Sequence, residues 1–300
     1  MPPSLTLPLL MIILSGVAFS FLALAYKQAA VLNCRPMAFS TIFNLVATIL
    51  SLWRVFSEES AWADWRLWAL GISMGAVLYF ALSLTVVIGR LGPMSIIWTV
   101  TNLSLLIPII LSTLFLGETL LYVDGALLAL FIVMIIAMRS GAHSASDTKH
   151  NIRGAFWLVL AILFLCNGLF QFGSKLKETL FPGSSAAALA ALFYGSGVVM
   201  AFITHVIKSG SYKISATEWR TGALAGASSS IGCILLLNAM HLPVVVVFAA
   251  SLGVSLIGGV ALTAIIYREH LTTGKLIGWL LGLGVVILSV AREQIDALLK

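Results

Sequence analysis

The sequence predicts an all-α integral membrane protein with ten transmembrane helices in two inverted five-helix repeats. Three observations lead to this fold class. Hydrophobic residues make up 60% of the 300 residues and charged residues only 9%, a balance that would leave a soluble fold without enough charge to cover its surface. The chain also divides into ten apolar segments, and landmarks of the first five recur in the second five.

The ten apolar segments have the length that a membrane crossing requires. A bilayer core about 30 Å thick takes roughly 20 helical residues, and helices are the expected structure because no water is present there to satisfy the backbone. The predicted segments lie approximately at residues 5–27, 36–56, 66–88, 93–115, 120–138, 154–175, 184–207, 219–239, 243–267 and 273–292.

A polar stretch at residues 139–153 connects the two halves, a first repeat at 1–138 and a second at 154–300. We expect them to form one integrated membrane domain. Four landmarks recur at nearly constant separation: Lys27 with Lys175, Asp64 with Glu218, Pro93 with Pro243, and Glu118 with Glu269. Because five is odd, the second repeat enters the membrane from the opposite side. Inverted repeats are typical of secondary transporters.

Glycines spaced four apart follow the matched Asp64 and Glu218. The pairs Gly71–Gly75 and Gly222–Gly226 each give a helix a small face that lets another helix approach closely. Packing within the bundle is favoured over a dimer face, because ten helices offer many internal partners. A homodimer is left open.

The sequence resembles the drug/metabolite transporter superfamily, in particular its EamA-like ten-helix members. The resemblance is carried by the repeat layout, by the lysine that closes the first helix of each half, and by the motifs "LGETL" at 116–120 and "YREHL" at 267–271. Where the family commonly has a proline about thirteen residues before the motif glutamate, this chain has Leu105 and Leu256, and Pro108 lies nearby.

The resemblance implies transport of amino acids, other small metabolites, sugar phosphates, nucleotide sugars or drugs. It also implies a multi-pass protein of the plasma or inner membrane with both termini in the cytoplasm. The charge distribution disagrees with that orientation. Leaving out Lys27 and Lys175, it places five cationic residues inside and ten outside, whereas cytoplasmic loops usually carry the excess.

Polar residues within the segments predict the substrate site, because such residues are expensive in a membrane and usually face the interior. We predict that three amides donate and accept hydrogen bonds, that two aromatic rings give apolar contact, and that two lysines attract a carboxylate. Snorkelling anchors are the alternative for the lysines, and an interfacial ring is the alternative for Trp98. The predicted site residues are Asn102, Asn167, Gln171, Tyr79, Trp98, Lys27, Lys175 and Ser251.

Acidic residues fall in predicted loops or at segment ends, which argues against a carboxylate-driven proton antiporter of cations. We expect Glu118 and Glu269 to lie in helix-terminal turns and to pair with loop cations. The motifs of common enzymes are missing, the cysteines lack metal-ligand spacing, and no basic cluster suggests nucleic acid. We therefore expect no enzyme activity, cofactor, metal or nucleic-acid partner.

The leading hypothesis is a secondary transporter, an exporter or facilitator, that moves a small polar or zwitterionic metabolite such as an amino acid across a lipid bilayer. The first alternative is a transporter of an anionic sugar phosphate or nucleotide sugar, with Lys27 and Lys175 as phosphate ligands. The second is a non-transporting membrane scaffold or lipid-handling subunit.

Overall fold

A computed structural model of the chain describes residues 3–56, 64–88, 100–140, 154–209, 211–268 and 273–299. Within these ranges the structure has no strand and consists of ten α-helices together with helical residues 100–103. The helices are α1 (Pro3–Val31), α2 (Pro36–Val55), α3 (Trp65–Ile88), α4 (Leu106–Phe115), α5 (Tyr122–Ser140), α6 (Gly154–Leu180), α7 (Ala186–Ser209), α8 (Ala216–Asn238), α9 (Val244–Tyr267) and α10 (Thr273–Leu299).

Local sequence explains several helix ends. Pro36 is the first residue of α2, a position where its missing N–H costs nothing. At the start of α8, the Ser215 hydroxyl accepts from the backbone N–H of Glu218, whose carboxylate accepts from the N–H of Ser215, the reciprocal pair called a capping box. The prediction that lysines close α1 and α6 is wrong: the helices continue past Lys27 and Lys175 to Val31 and Leu180.

The described helices indicate a multi-pass membrane protein. Seven contain a stretch long and apolar enough to cross a bilayer, and three further apolar stretches are shorter. The seven are Thr6–Val31, Pro36–Val55, Trp65–Thr85, Phe156–Leu180, Ala186–Ser209, Ala216–Asn238 and Val244–Tyr267, and the shorter three are Val100–Phe115, Tyr122–Ala137 and Leu276–Arg292. Large apolar side chains such as Phe80, Leu114 and Ile265 are exposed on the outside of the bundle.

Helices of the two halves pack against each other in a reciprocal pattern. The first helix of each half contacts the third and fourth of the other: α1 packs on α8 and α9, and α6 packs on α3 and α4. The second helix of each half packs on the third of the other, which pairs α2 with α8 and α7 with α3, while α2 also meets α7 and α5 meets α10. The bundle is therefore held together mainly by contacts between its halves.

The spaced glycines lie in these contacts, as the packing interpretation predicted. A methyl group on Gly71 or Gly75 of α3 would meet Leu192, Phe193 or Ser196 of α7. On the other side, Gly222 of α8 lies against Ile42 of α2, and Gly226 lies against the carbonyl of Phe43. These positions let paired backbones approach more closely than any larger side chain would allow.

Substitution of Gly75 tests this close packing. In Gly75→Ala the new methyl group would overlap the Phe193 carbonyl oxygen, so we expect a loss of unfolding free energy of about 2 kcal/mol and a lower Tm in a detergent thermal-unfolding assay. The matched control is Gly125→Ala on α5, where an added methyl group meets nothing within 4 Å. An equal Tm for the two variants would contradict the packing described for α3 and α7.

Candidate functional site

The helical path is broken just before α4. Residues 100–103 are helical, the chain turns at Ser104 and Leu105, and α4 begins at Leu106. Pro108 has no N–H to donate to the Ser104 carbonyl four residues earlier, and that carbonyl accepts from Ile107 N at 3.0 Å instead. Leu105 N turns to the Asn102 carbonyl at 3.4 Å. The break changes the partners of several backbone groups inside the bundle.

At the break, the backbone carbonyl of Thr101 accepts a hydrogen bond from a side chain. Thr101 O accepts the Ser104 hydroxyl at 2.6 Å, together with Ser104 N at 3.3 Å. Ser104 is fully buried. A buried hydroxyl thus stands at the turn, held by the backbone of the preceding residues.

Helix α6 brings Gln171 to this hydroxyl. Gly168 of α6 lies against the Ile107 side chain, so α6 approaches the start of α4 closely. One turn above it, Gln171 Nε2 donates to Ser104 Oγ at 2.9 Å. The other amide atom, Gln171 Oε1, is buried and accepts from no donor in the part of the chain that the structure describes.

The other two predicted amides lie on the same two segments. Asn102 is half-buried in the helical residues before the turn. Asn167 is half-buried one turn before Gln171, and its Nδ2 donates to the Leu163 carbonyl of its own helix at 2.9 Å. The structure therefore brings the segment of Asn102 beside the helix of Asn167 and Gln171.

Lys175 lies one turn after Gln171 and is buried in a network of oxygens. Its Nζ lies 3.3 Å from Glu118 Oε1, 2.9 Å from Met240 O and 3.1 Å from Leu242 O. The same Glu118 oxygen accepts from Val244 N at 3.0 Å, at the positive end of the α9 helix dipole. Lys175 and Glu118 thus join α6, the end of α4 and the start of α9.

This network corrects one prediction. The prediction that Glu118 pairs with a loop cation is wrong, because its cation in the structure is Lys175 within α6. Gly117 places the carboxylate there by adopting a left-handed conformation, with φ of 67°, which glycine tolerates readily. Glu269, the predicted counterpart, lies outside the described residues.

Lys27 lies at the other end of α9. Its Nζ is 5.7 Å from the ring centroid of Tyr267, the last residue of α9, whereas Lys175 contacts residues at the start of α9. A helix of this length is about 36 Å long. The two lysines therefore stand near opposite ends of the bundle.

The structure does not place three of the predicted site residues beside Gln171. The Tyr79 hydroxyl hydrogen-bonds with Thr204 Oγ1, between α3 and α7. Ser251 is buried, and its hydroxyl lies 2.9 Å from Ser15 Oγ, in the contact between α9 and α1. The polar atoms of both residues thus take part in helix contacts. Trp98 lies outside the described residues.

Two ion pairs between the halves were missed by the sequence analysis. Asp124 of α5 and Arg292 of α10 are both buried and form a two-point pair, with Nε–Oδ1 of 2.6 Å and Nη2–Oδ2 of 2.7 Å. Arg35, between α1 and α2, donates from Nε and Nη2 to Glu218 at 2.8 and 2.9 Å. The hydrogen bond to Glu218 raises the pKa of Arg35. The serine and glutamate spacing at 215–218 signals a capping box, but no sequence pattern points to Arg35.

Comparisons with known proteins support the fold and name no activity. No family model matches the chain, and no curated protein matches it. One solved structure, described as "Crystal structure of protein", superposes on this chain with a TM-score of 0.78 at 15% sequence identity. The match covers 96% of this chain and 98% of the chain in that structure. The chain is thus similar in fold to a known structure over nearly its full length.

Removal of the Lys175 charge tests the buried network. In Lys175→Gln, Glu118 loses its cation and two carbonyls lose a charged donor, so we expect unfolding free energy to fall by about 2 kcal/mol. The measurement is thermal unfolding in detergent. The control is Lys208→Gln at the exposed end of α7. If Lys175→Gln unfolds at the same temperature as the control, the network contributes no stability.

Proposed function

We propose that the chain is a secondary transporter of a small polar or zwitterionic metabolite, with amino acids first. We propose further that it has an EamA-like architecture of ten membrane spans in two inverted five-helix repeats. The reciprocal packing of the halves supports this architecture, because each helix that meets the other half has a counterpart that does the same. The seven long apolar helices and three shorter apolar stretches support a proposal of ten spans.

The observation that carries the transport proposal is the polar face of α6 at the helix break. Gln171 and Lys175 lie one turn apart on this face, beside the turn at Ser104 and the start of α9. Polar groups in a membrane mark substrate pathways when they face the bundle interior. Broken helices with released backbone groups are a common element of transporter binding sites.

The charge of this face favours a zwitterion over a phosphate. Lys175 already has Glu118 as its counter-ion at 3.3 Å, so the pair carries no net positive charge for a dianion. A zwitterion brings both signs with it and needs no net charge from the site. An amino acid is therefore a better candidate substrate than a sugar phosphate or nucleotide sugar. We further propose that the protein lies in the plasma or inner membrane.

Transport by amide variants tests the proposal. In proteoliposomes loaded with unlabelled amino acids, we expect counterflow of the labelled amino acid to fall at least about tenfold in Asn102→Ala and in Gln171→Ala, because each loses a hydrogen-bonding group in the site. The control is Asn238→Ala, an exposed amide that donates to its own helix. Normal counterflow in both site variants would show that the site lies elsewhere.

The same assay separates transport from a scaffold role. A folded wild-type protein that gives no counterflow with amino acids, nucleosides or sugar phosphates would favour a non-transporting membrane subunit. Thermal unfolding with each compound provides an independent reading, because a ligand that binds the folded state raises its Tm by mass action.

A further inference from the structure

The neighbours of Gln171 determine which end of its side-chain amide faces Ser104. A hydroxyl has a single proton to donate, and Ser104 gives this proton to Thr101 O at 2.6 Å. Toward Gln171, 2.9 Å away, Ser104 therefore offers only a lone pair. The NH2 end of Gln171 must face Ser104, and Oε1 must face away from it.

The helix break supplies the acceptor that directs Ser104. In an uninterrupted helix, Thr101 O would accept from Leu105 N four residues later. Here Leu105 N donates to Asn102 O, and Thr101 O accepts both the Ser104 hydroxyl and Ser104 N. The two hydrogen bonds therefore run in one direction: Gln171 donates to Ser104, and Ser104 donates to Thr101.

The remaining polar atom of the Gln171 amide, Oε1, is a buried acceptor. Gln171 Oε1 is shielded from solvent and receives no hydrogen bond from any residue that the structure describes. A buried carbonyl oxygen without a donor costs free energy, and such groups in native proteins call for an explanation. Because the NH2 group of Gln171 donates to Ser104, Oε1 faces away from Ser104 and is open to a donor that the described residues do not supply.

We propose that Gln171 Oε1 accepts a hydrogen bond from an amino group of the transported molecule, and that Ser104 is the positioning residue that sets this preference. This inference rests on the proposed function, since the ligand is the transported metabolite. A ligand that places a carbonyl at this point meets another acceptor and is rejected. An amino acid therefore binds with its ammonium at Gln171.

Matched ligands distinguish donor recognition from charge. Leucine, phenylalanine and methionine are compared with their 2-hydroxy and 2-oxo acids, which keep the side chain and the carboxylate. The hydroxy and oxo acids carry the same charge, but only the hydroxy acid can donate at carbon 2. For the wild type, we expect inhibition of amino-acid counterflow to weaken from amino to hydroxy to oxo acid, with the oxo acid at least about tenfold weaker than the amino acid.

Two variants of Ser104 test the positioning role. Ser104→Ala removes the lone pair that holds the NH2 group, so the amide can turn over, and we expect the preference for amino over oxo acids to shrink at least about tenfold. Ser104→Thr keeps a hydroxyl and should keep the preference. A merely structural role would lower transport of all ligands together and leave their ratio unchanged. The control is Asn238→Ala, which should also leave the ratio unchanged.

Each remaining outcome decides the inference. If Ser104→Ala keeps the wild-type ratio, or if the wild type prefers oxo acids, the inference fails while transport stands. If a folded wild-type protein carries none of these acids but carries another class of metabolite, the inference fails and the general transport proposal survives. If no compound is carried or raises the Tm, both fail.

Discussion

Pro108 has no backbone N–H, and the polar face between α4 and α6 follows from this missing donor. Without it, the Ser104 carbonyl takes Ile107 N, Leu105 N turns to Asn102, and Thr101 O accepts a hydroxyl. In a membrane, each of these groups must find a partner within the protein, because no water replaces one that is lost. The break therefore gives the Ser104 and Gln171 side chains hydrogen bonds of fixed direction at the contact between the two halves.

The reciprocal packing connects these two side chains to the rest of the bundle. Helix α6 belongs to the second half, yet it meets α3 and α4 of the first, and Lys175 at its far end holds Glu118 of the first half against the start of α9. Glycines at the helix contacts keep the backbones close. The proposed transport cycle therefore depends on whether these contacts can open.

Apolar length alone predicted where most of the described helices lie, but the segment predicted at 93–115 is broken at Ser104 and Leu105. Local signals such as Pro36 and the Ser215 cap determine the exact starts of α2 and α8. Sequence reasoning could not predict ion pairs such as Asp124 with Arg292, whose members lie 168 residues apart and share no periodicity. Ser251 is predicted as a site residue because it is polar, but its type and position do not say what its hydroxyl meets, and Ser15 lies there. The fixed direction of Gln171 depends on a break in another segment, which no pattern in α6 reveals.

The most direct test of this account is Pro108→Ala. Alanine restores an N–H for the Ser104 carbonyl and favours an uninterrupted helix. We predict a variant that is at least as stable as the wild type in thermal unfolding but carries out amino-acid counterflow at least about tenfold more slowly. Wild-type counterflow by a Pro108→Ala protein of equal or higher Tm would contradict the claim that the break builds the site.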